Sequence, residues 1–439
     1  MTEPREQQLP PSLSAKFQGS FAYFTIRDRL PVILARIADT VYRKKVVILD
    51  QYGEDGSEDL KSVAGCVSKL RNEVQTNKEI IPLTDSHRDV EVWNKYLKDV
   101  TEKENQAPKW FLSPWLYVEC YMYRRIQEAV FNCKVLKDLD VFEEQKQKTF
   151  MDSQRAIITL MTYLQEVSQR FTTNDSPNVQ MLLQEFMQVA LWGNKCDLSI
   201  SASQENAQEQ CLLEQLHHLE PNILVNDFDQ VWSLLKEKGQ FKRIDIVLDN
   251  AGFELISDLC LAEYLIISGI TTTVYLHGKA FPWFVSDVTP QDFKWTLNML
   301  CASNSISMSH FGNVWKNRLE DGSWKFSTHD FWTMPFDFSE MKTYASDLYQ
   351  ELKTSGLVFL KGDLNYRKLV GDRNWNTTTS FVESLHGFYP SPLCSLRTSK
   401  ADVIVGLKDG QAGEIEKMDK DYMINGNWAV ISYSSKLDV

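Results

Sequence analysis

Apolar positions in the first half of the chain recur at helical spacing. Leu34, Ile37 and Val41 follow Pro31, a residue suited to a first helical turn. Leu60, Val63, Val67, Leu70 and Val74 repeat the pattern after Ser57, and Trp93, Leu97 and Val100 form a shorter stripe. Ser113-Pro114 reads as an N-cap and first-turn pair, opening an aromatic-rich helix with Trp115, Val118, Met122 and Ile126 at helical spacing. Two more helices are predicted over 151–171 and 179–191. No strand-like run and no solenoid-length repeat interrupts this half, so residues 1–200 read as a helical N-terminal domain.

After Asp227 the pattern changes. Ile244, Ile246, Val247 and Leu248 are mostly β-branched and too few for a helix, as in a buried parallel strand over 242–249. Further strands are predicted over 271–276, 357–361, 393–396 and 403–407, with helices over 253–267, 293–302 and 341–353. Strand and helix in alternation imply a largely parallel, three-layer α/β/α sheet domain over residues 220–439, and an α/β fold class.

The formal charge of -12 argues against a general affinity for nucleic acid, whose backbone recruits basic surfaces. No run approaches the apolar length of a membrane span and residues 1–20 lack the core of a signal peptide, so no membrane partner is expected. The eight cysteines contain no Cys-x-x-Cys pair, so they are read as reduced thiols of a cytoplasmic protein, or one that is also nuclear.

Four polar clusters stand directly after predicted strands or apolar runs: Asp249-Asn250, Ser286-Asp287, Asp363 to Lys368, and Arg397 to Lys400. In a parallel sheet such ends converge on one edge, where ligands gather. Asp249, Asn250 and Asp287 offer oxygen ligands to a hard divalent ion, while Arg367, Arg397 and Lys400 offer counter-charge to a phosphate. Each cluster also has a plainer reading: Asn250 can cap the following helix, and 363–368 can be a solvated turn. Asn194 and Asp197, in the polar segment after Trp192, are turn or cap residues on their own.

The strings Leu248-Asp-Asn-Ala-Gly-Phe-Glu254, Trp192-Gly-Asn-Lys-Cys-Asp197, Lys361-Gly-Asp-Leu-Asn-Tyr-Arg367 and Arg397-Thr-Ser-Lys400 resemble the damage-control phosphatase family. They resemble in particular its subfamily with an Arg-Thr-x-Lys motif, and Ser399 stands at the variable place. The resemblance extends to Gly19–Asp28 and Leu112–Leu116 in the helical half. It implies a metal-dependent phosphatase of sugar phosphates such as fructose 1-phosphate and fructose 6-phosphate, with Mn2+ or Ni2+ as cofactor and Co2+ or Mg2+ as alternatives. By motif, Asp249, Asn250 and Asp287 would bind the metal and carry catalysis. Asp249, Asn250, Asp363, Leu364, Asn365, Tyr366, Arg367 and Lys400 would hold the substrate, with Asn194, Asp197 and Arg397 as further candidates.

Two alternatives stand beside this. One is S-adenosylmethionine-dependent O-methylation of protein glutamates, with Glu254 and Asp287 contacting the cofactor; its single glycine at 252 fits a nucleotide-binding turn poorly. The other is a non-catalytic interaction protein. The helical half is expected to lid the site and exclude water.

Overall fold

A computed structural model describes residues 9–173, 177–193 and 214–438. Helices Leu30–Arg43, Lys45–Gln75, Val90–Glu104, Trp115–Phe131, Glu143–Asp152, Gln154–Thr172 and Val179–Trp192 build the first half. The stripes read from the sequence are their buried faces: Leu34, Ile37 and Val41 on one, Leu60 to Val74 on the next. Gly53, at φ 66°, kinks the long second helix.

Seven strands form one sheet: β1 Ile223–Asn226, β2 Ile244–Val247, β3 Val274–Gly278, β4 Trp324–Thr328, β5 Val358–Lys361, β6 Leu393–Thr398 and β7 Ala429–Ser434. Their order is β1-β7-β6-β5-β2-β3-β4. Strands β2 to β6 pair in parallel, whereas β7 runs antiparallel to β6 and carries β1 parallel to itself. The strand over 403–407 is corrected: its amides donate to the 377–379 loop and to the Tyr366 hydroxyl, so it joins no sheet. Strands β1, β4 and β7 went unread. Half-exposed β1 and β4 have weak patterns, and Ser432 and Ser434 interrupt the apolar run of fully buried β7. The helix expected over 341–353 is two, Met341–Tyr344 and Ser346–Leu352, broken at extended Ala345.

Apolar side chains divide by sheet face rather than by chain half. Along β2 and β5, Val247, Val358 and Leu360 face a cluster containing the helices up to residue 131 and the segment 331–430. Ile244, Ile246, Leu248 and Phe359 face the other, with Gln154–Thr172, Val179–Trp192 and Phe253–Ile267. The two-residue period of a strand therefore sends alternate residues into different cores. Strands β2 and β5 are neighbours, yet the chain leaves β2 toward β3 on one side and reaches β5 on the other. Their carboxyl ends mark the crevice where an open α/β sheet takes ligands.

Candidate active site

Strand β2 ends at Val247, and Asp249 and Asn250 follow before Gly252, at φ 74°, starts the Phe253–Ile267 helix. Asn250 donates to Asp249 Oδ2 at 2.7 Å and to Glu254 Oε2 at 2.8 Å. Ser286 donates its hydroxyl to Asn250 Oδ1. The 284–288 loop is laced to this turn, with Ala251 N on Ser286 O at 2.7 Å and Val288 N on Asp249 O at 2.9 Å. Asn250 and Asp287 thus pair as an isolated antiparallel bridge. Phe284 and Val285 carry φ of 42° and 72°, a conformation costly for a β-branched residue, and Phe284 is stacked on Tyr123 at 4.6 Å.

The neighbouring strand end comes within van der Waals range. A Cβ on Gly362, at φ 84°, would lie 1.9 Å from Asp249 Oδ2, so only glycine lets β5 turn into the Gly362–Leu369 helix beside that carboxylate. No side chain caps this helix at its N-terminus. Asn365 ties the two ends together, donating to Lys361 O at 2.7 Å and Leu248 O at 3.4 Å.

Burial crowds the acids. Asp249 is 8% exposed and Asp287 2%. Burial, then the charges of Glu254 and Asp287, push the Asp249 carboxyl well above its usual range. Burial pushes Asp287 up to about 6 against the pull of Lys279, whose Nζ lies 3.3 Å away and donates to Leu248 O. Lys361 lies 2.7 Å from Asp258 and 3.6 Å from Glu254. Lys361 escaped the sequence reading because it stands at a strand end counted as core, and Lys279 because it lies beyond the strand read over 271–276; its place directly after β3 was the available signal.

The expected cationic half is divided. Arg397 donates to Asp363 at 2.8 Å and to the carbonyls of Ala401 and Val403, with its guanidinium over the Tyr366 ring. Arg367 binds Asp372 with two nitrogens and Glu119 with a third, stacked 3.6 Å from the Trp115 ring centroid. These two arginines stand in internal ion pairs instead of opposing the acids as free charges, because the interior around them supplies the matching carboxylates. Asp363 also accepts from Lys400 N at 3.1 Å. Leu364 and Tyr366 are buried in the same helix, whose packing fixes their amides. Asn194 and Asp197 lie outside the described residues.

Lys400 differs from both arginines. Its ammonium has no partner among the described residues, yet its charge acts on Asp249. It lines a cavity of about 220 Å³ with Asn250, Ala251, Ser286, and Gln145, Lys146 and Thr149 of the Glu143–Asp152 helix. The other lysine there, Lys146, is held 2.5 Å from both Asp140 and Asp292. Among the described residues no cluster of three or more His, Cys, Asp or Glu side chains is disposed to hold a metal ion; the oxygen set here is two carboxylates and an amide.

Residues 25–415 match the family model of the damage-control phosphatase ARMT1-like domain. The chain is 48% identical over 441 residues to damage-control phosphatase ARMT1 of Danio rerio, covering 98% of each. It is 49% identical to the protein of that name from Xenopus laevis and 42% to that from Homo sapiens, in both cases covering 98% of this chain and 99% of the relative. Among solved structures, a DUF89 family protein from Pyrococcus horikoshii aligns with a TM-score of 0.41 at 14% identity, over 85% of this chain and 97% of that one. The chain belongs to the damage-control phosphatase ARMT1-like family.

Proposed function

We propose that the chain is a metal-dependent phosphomonoesterase hydrolysing sugar phosphates, with fructose 1-phosphate and fructose 6-phosphate as substrates. The name shared by its relatives supports the hydrolase class. The observation that carries the reading is one cavity after β2 that is lined by Lys400, whose ammonium has no partner among the described residues, and by Asn250, which donates to the buried Asp249 carboxylate beside it.

The residues fit a hard divalent cation. Asp249, Asn250 and Asp287 supply oxygen donors of the type such ions prefer, and buried Asp287 Oδ2 faces the Lys279 ammonium at 3.3 Å without an aligned hydrogen bond. Mn2+ and Ni2+ are the leading candidates, with Co2+ and Mg2+ behind them. Bound there, the ion supplies Lewis acidity toward a phosphoryl oxygen and acidifies a water.

The chain's own groups orient and balance charge. Lys400 and the uncapped amides at the start of the Gly362–Leu369 helix neutralise the phosphoryl oxygens as negative charge shifts during in-line displacement. Asp363 serves this indirectly, fixing the Lys400 backbone and Arg397. The Glu143–Asp152 helix roofs the cavity and limits water, which gives the helical half the role of a lid.

The methyltransferase reading meets a Glu254 already accepting from Asn250 and facing Lys361, so its carboxylate is engaged internally. The test is phosphate release from fructose 1-phosphate with and without Mn2+, in the native chain and in Asp249→Ala. Metal-dependent release lost in the variant is the expected result. Folded protein that releases no phosphate with any divalent ion, yet binds S-adenosylmethionine saturably, would favour the alternative.

A further inference from the structure

Beside the phosphate-sized cavity opens a cleft of about 840 Å³, and the two share Gln145 and Ser286 on their walls. Ser286 is the residue that donates to Asn250, so whatever fills the cleft adjoins the acidic set. One wall is the strained Phe284-Val285 turn and the other is the segment 21–43, which includes a π-helical turn over Thr25–Arg29. π-helical turns within α-helices concentrate at functional sites, because the extra residue redirects side chains at a cost in hydrogen bonding.

Three polar groups in this wall have no side-chain partner among the described residues. Thr25 is 1% exposed and its hydroxyl, the usual donor to a carbonyl one turn back, has no hydrogen bond. Among the described residues Arg29 and Arg36 line the cleft without an ion pair, while Arg43 is paired with Asp39 and Glu144, Lys148 with Asp152, and Asp28 with Arg27. The cleft therefore presents two guanidinium groups that no described carboxylate answers, over a buried Thr25 hydroxyl.

We infer that this cleft is the leaving-group subsite of the phosphatase and that it takes phosphomonoesters whose alcohol portion carries hydroxyls and a second anionic group. The inference rests on the phosphatase reading and deepens it. The scissile phosphate occupies the smaller cavity at Lys400; the leaving sugar extends past Ser286, with its far anion on Arg29 and Arg36. A single hexose leaves most of 840 Å³ unfilled, and a neutral one leaves both guanidinium groups unanswered. A second phosphate and a carboxylate share the required chemistry, since both accept planar, bidentate donors.

The test compares kcat/KM for fructose 1-phosphate, fructose 1,6-bisphosphate and 6-phosphogluconate, together with calorimetric binding of all three in the absence of divalent ion. The native chain is expected to prefer at least one two-anion compound by about tenfold or more, roughly one charge-assisted contact. Preference for the bisphosphate alone identifies phosphate as the far anion, and equal preference for 6-phosphogluconate admits a carboxylate. Arg29→Gln and Arg36→Gln should erase that preference in both turnover and binding. Both variant arginines are exposed, so loss of folding does not enter. Phosphate release that is equally efficient on all three compounds, or a preference surviving both arginine variants, overturns the subsite and leaves the phosphatase intact. Metal-free binding that favours a two-anion compound through Arg29 and Arg36, with no turnover of any compound, supports the subsite while sinking the phosphatase reading.

Discussion

Gly362 and Lys400 act on the site in opposite ways, one through what it omits and the other through what it offers. Gly362→Ala would set a methyl group 1.9 Å from the present position of Asp249 Oδ2 and strain a backbone at φ 84°. Displacing that carboxylate by an ångström is expected to lower kcat/KM about 100-fold, and the strained backbone to cost about 1–2 kcal/mol, read by phosphate release and urea melts. Lys400→Met removes a charge with no partner among the described residues. Its KM for fructose 1-phosphate should rise at least about tenfold, while its unfolding free energy from urea titration stays within about 0.5 kcal/mol of the native chain. A Lys400→Met chain that melts early but keeps its KM would make Lys400 a structural residue. Asp249 and Asn250 were legible in the sequence because a polar residue just past a buried strand has only the sheet edge to occupy, whereas Asp287, nine residues beyond β3, is brought there by its loop pairing with Asn250. Arg367 and Arg397 were legible as cations but not as internal partners: Glu119 lies 248 residues before Arg367, and no local pattern records such a pairing.

Single side chains join elements across the sheet. Arg367 holds the Gly362–Leu369 helix to Trp115–Phe131 through Glu119 and Trp115, and to Asp372, which also accepts from Leu116 N. Arg367→Met would leave two buried acids without their shared cation, a loss of about 3–5 kcal/mol by denaturant titration. Arg124, fully buried on Trp115–Phe131, similarly binds Asp85 and Asp89 and so anchors the approach to Val90–Glu104. Burial raises the Asp89 carboxyl, but hydrogen bonds from His87 and Arg124 outweigh it and bring the value down to about 2. A depressed folded value means stabilisation that is present above the unfolded value near 4 and lost as pH falls toward 2. The stability advantage of the native chain over Asp89→Asn should therefore shrink by about 2 kcal/mol between pH 5 and pH 2. An advantage constant across that range would show that the ion pair is not what depresses the carboxyl.

At the scale of the molecule, the acidic crowd at the β2/β5 crevice links metal binding to stability. An ion bound only by the folded chain raises the unfolding free energy by about 2.7 kcal/mol at a hundred times its dissociation constant. Mn2+ is expected to raise the melting temperature of the native chain, a chelator to reverse the shift, and Asp249→Asn to abolish it. A melting temperature indifferent to Mn2+ and to the other divalent ions would remove the metal from the proposal. The two apolar clusters explain why this site is held so firmly: helices from both halves cover both faces of one sheet, and the segment from Leu13 is itself bonded to Asp372 and Trp115.

The sequence by itself determined most helices of the first half, though not Glu143–Asp152, together with four of the strands, the α/β class and the polar pair at the end of β2. Each of these follows from local periodicity or from a polar residue directly after an apolar run. It left β1, β4 and β7 unread and took 403–407 for a strand, because whether a short segment joins a sheet depends on which backbone lies beside it. Only the tertiary structure decided that β7 runs against β6, that Lys279 and Lys361 sit among the acids, and that Arg367 and Arg397 are already paired while Lys400, Arg29 and Arg36 have no ion pair among the described residues. Charge pairing and strand direction are settled by residues far apart in the chain, and nothing in local spacing carries that information.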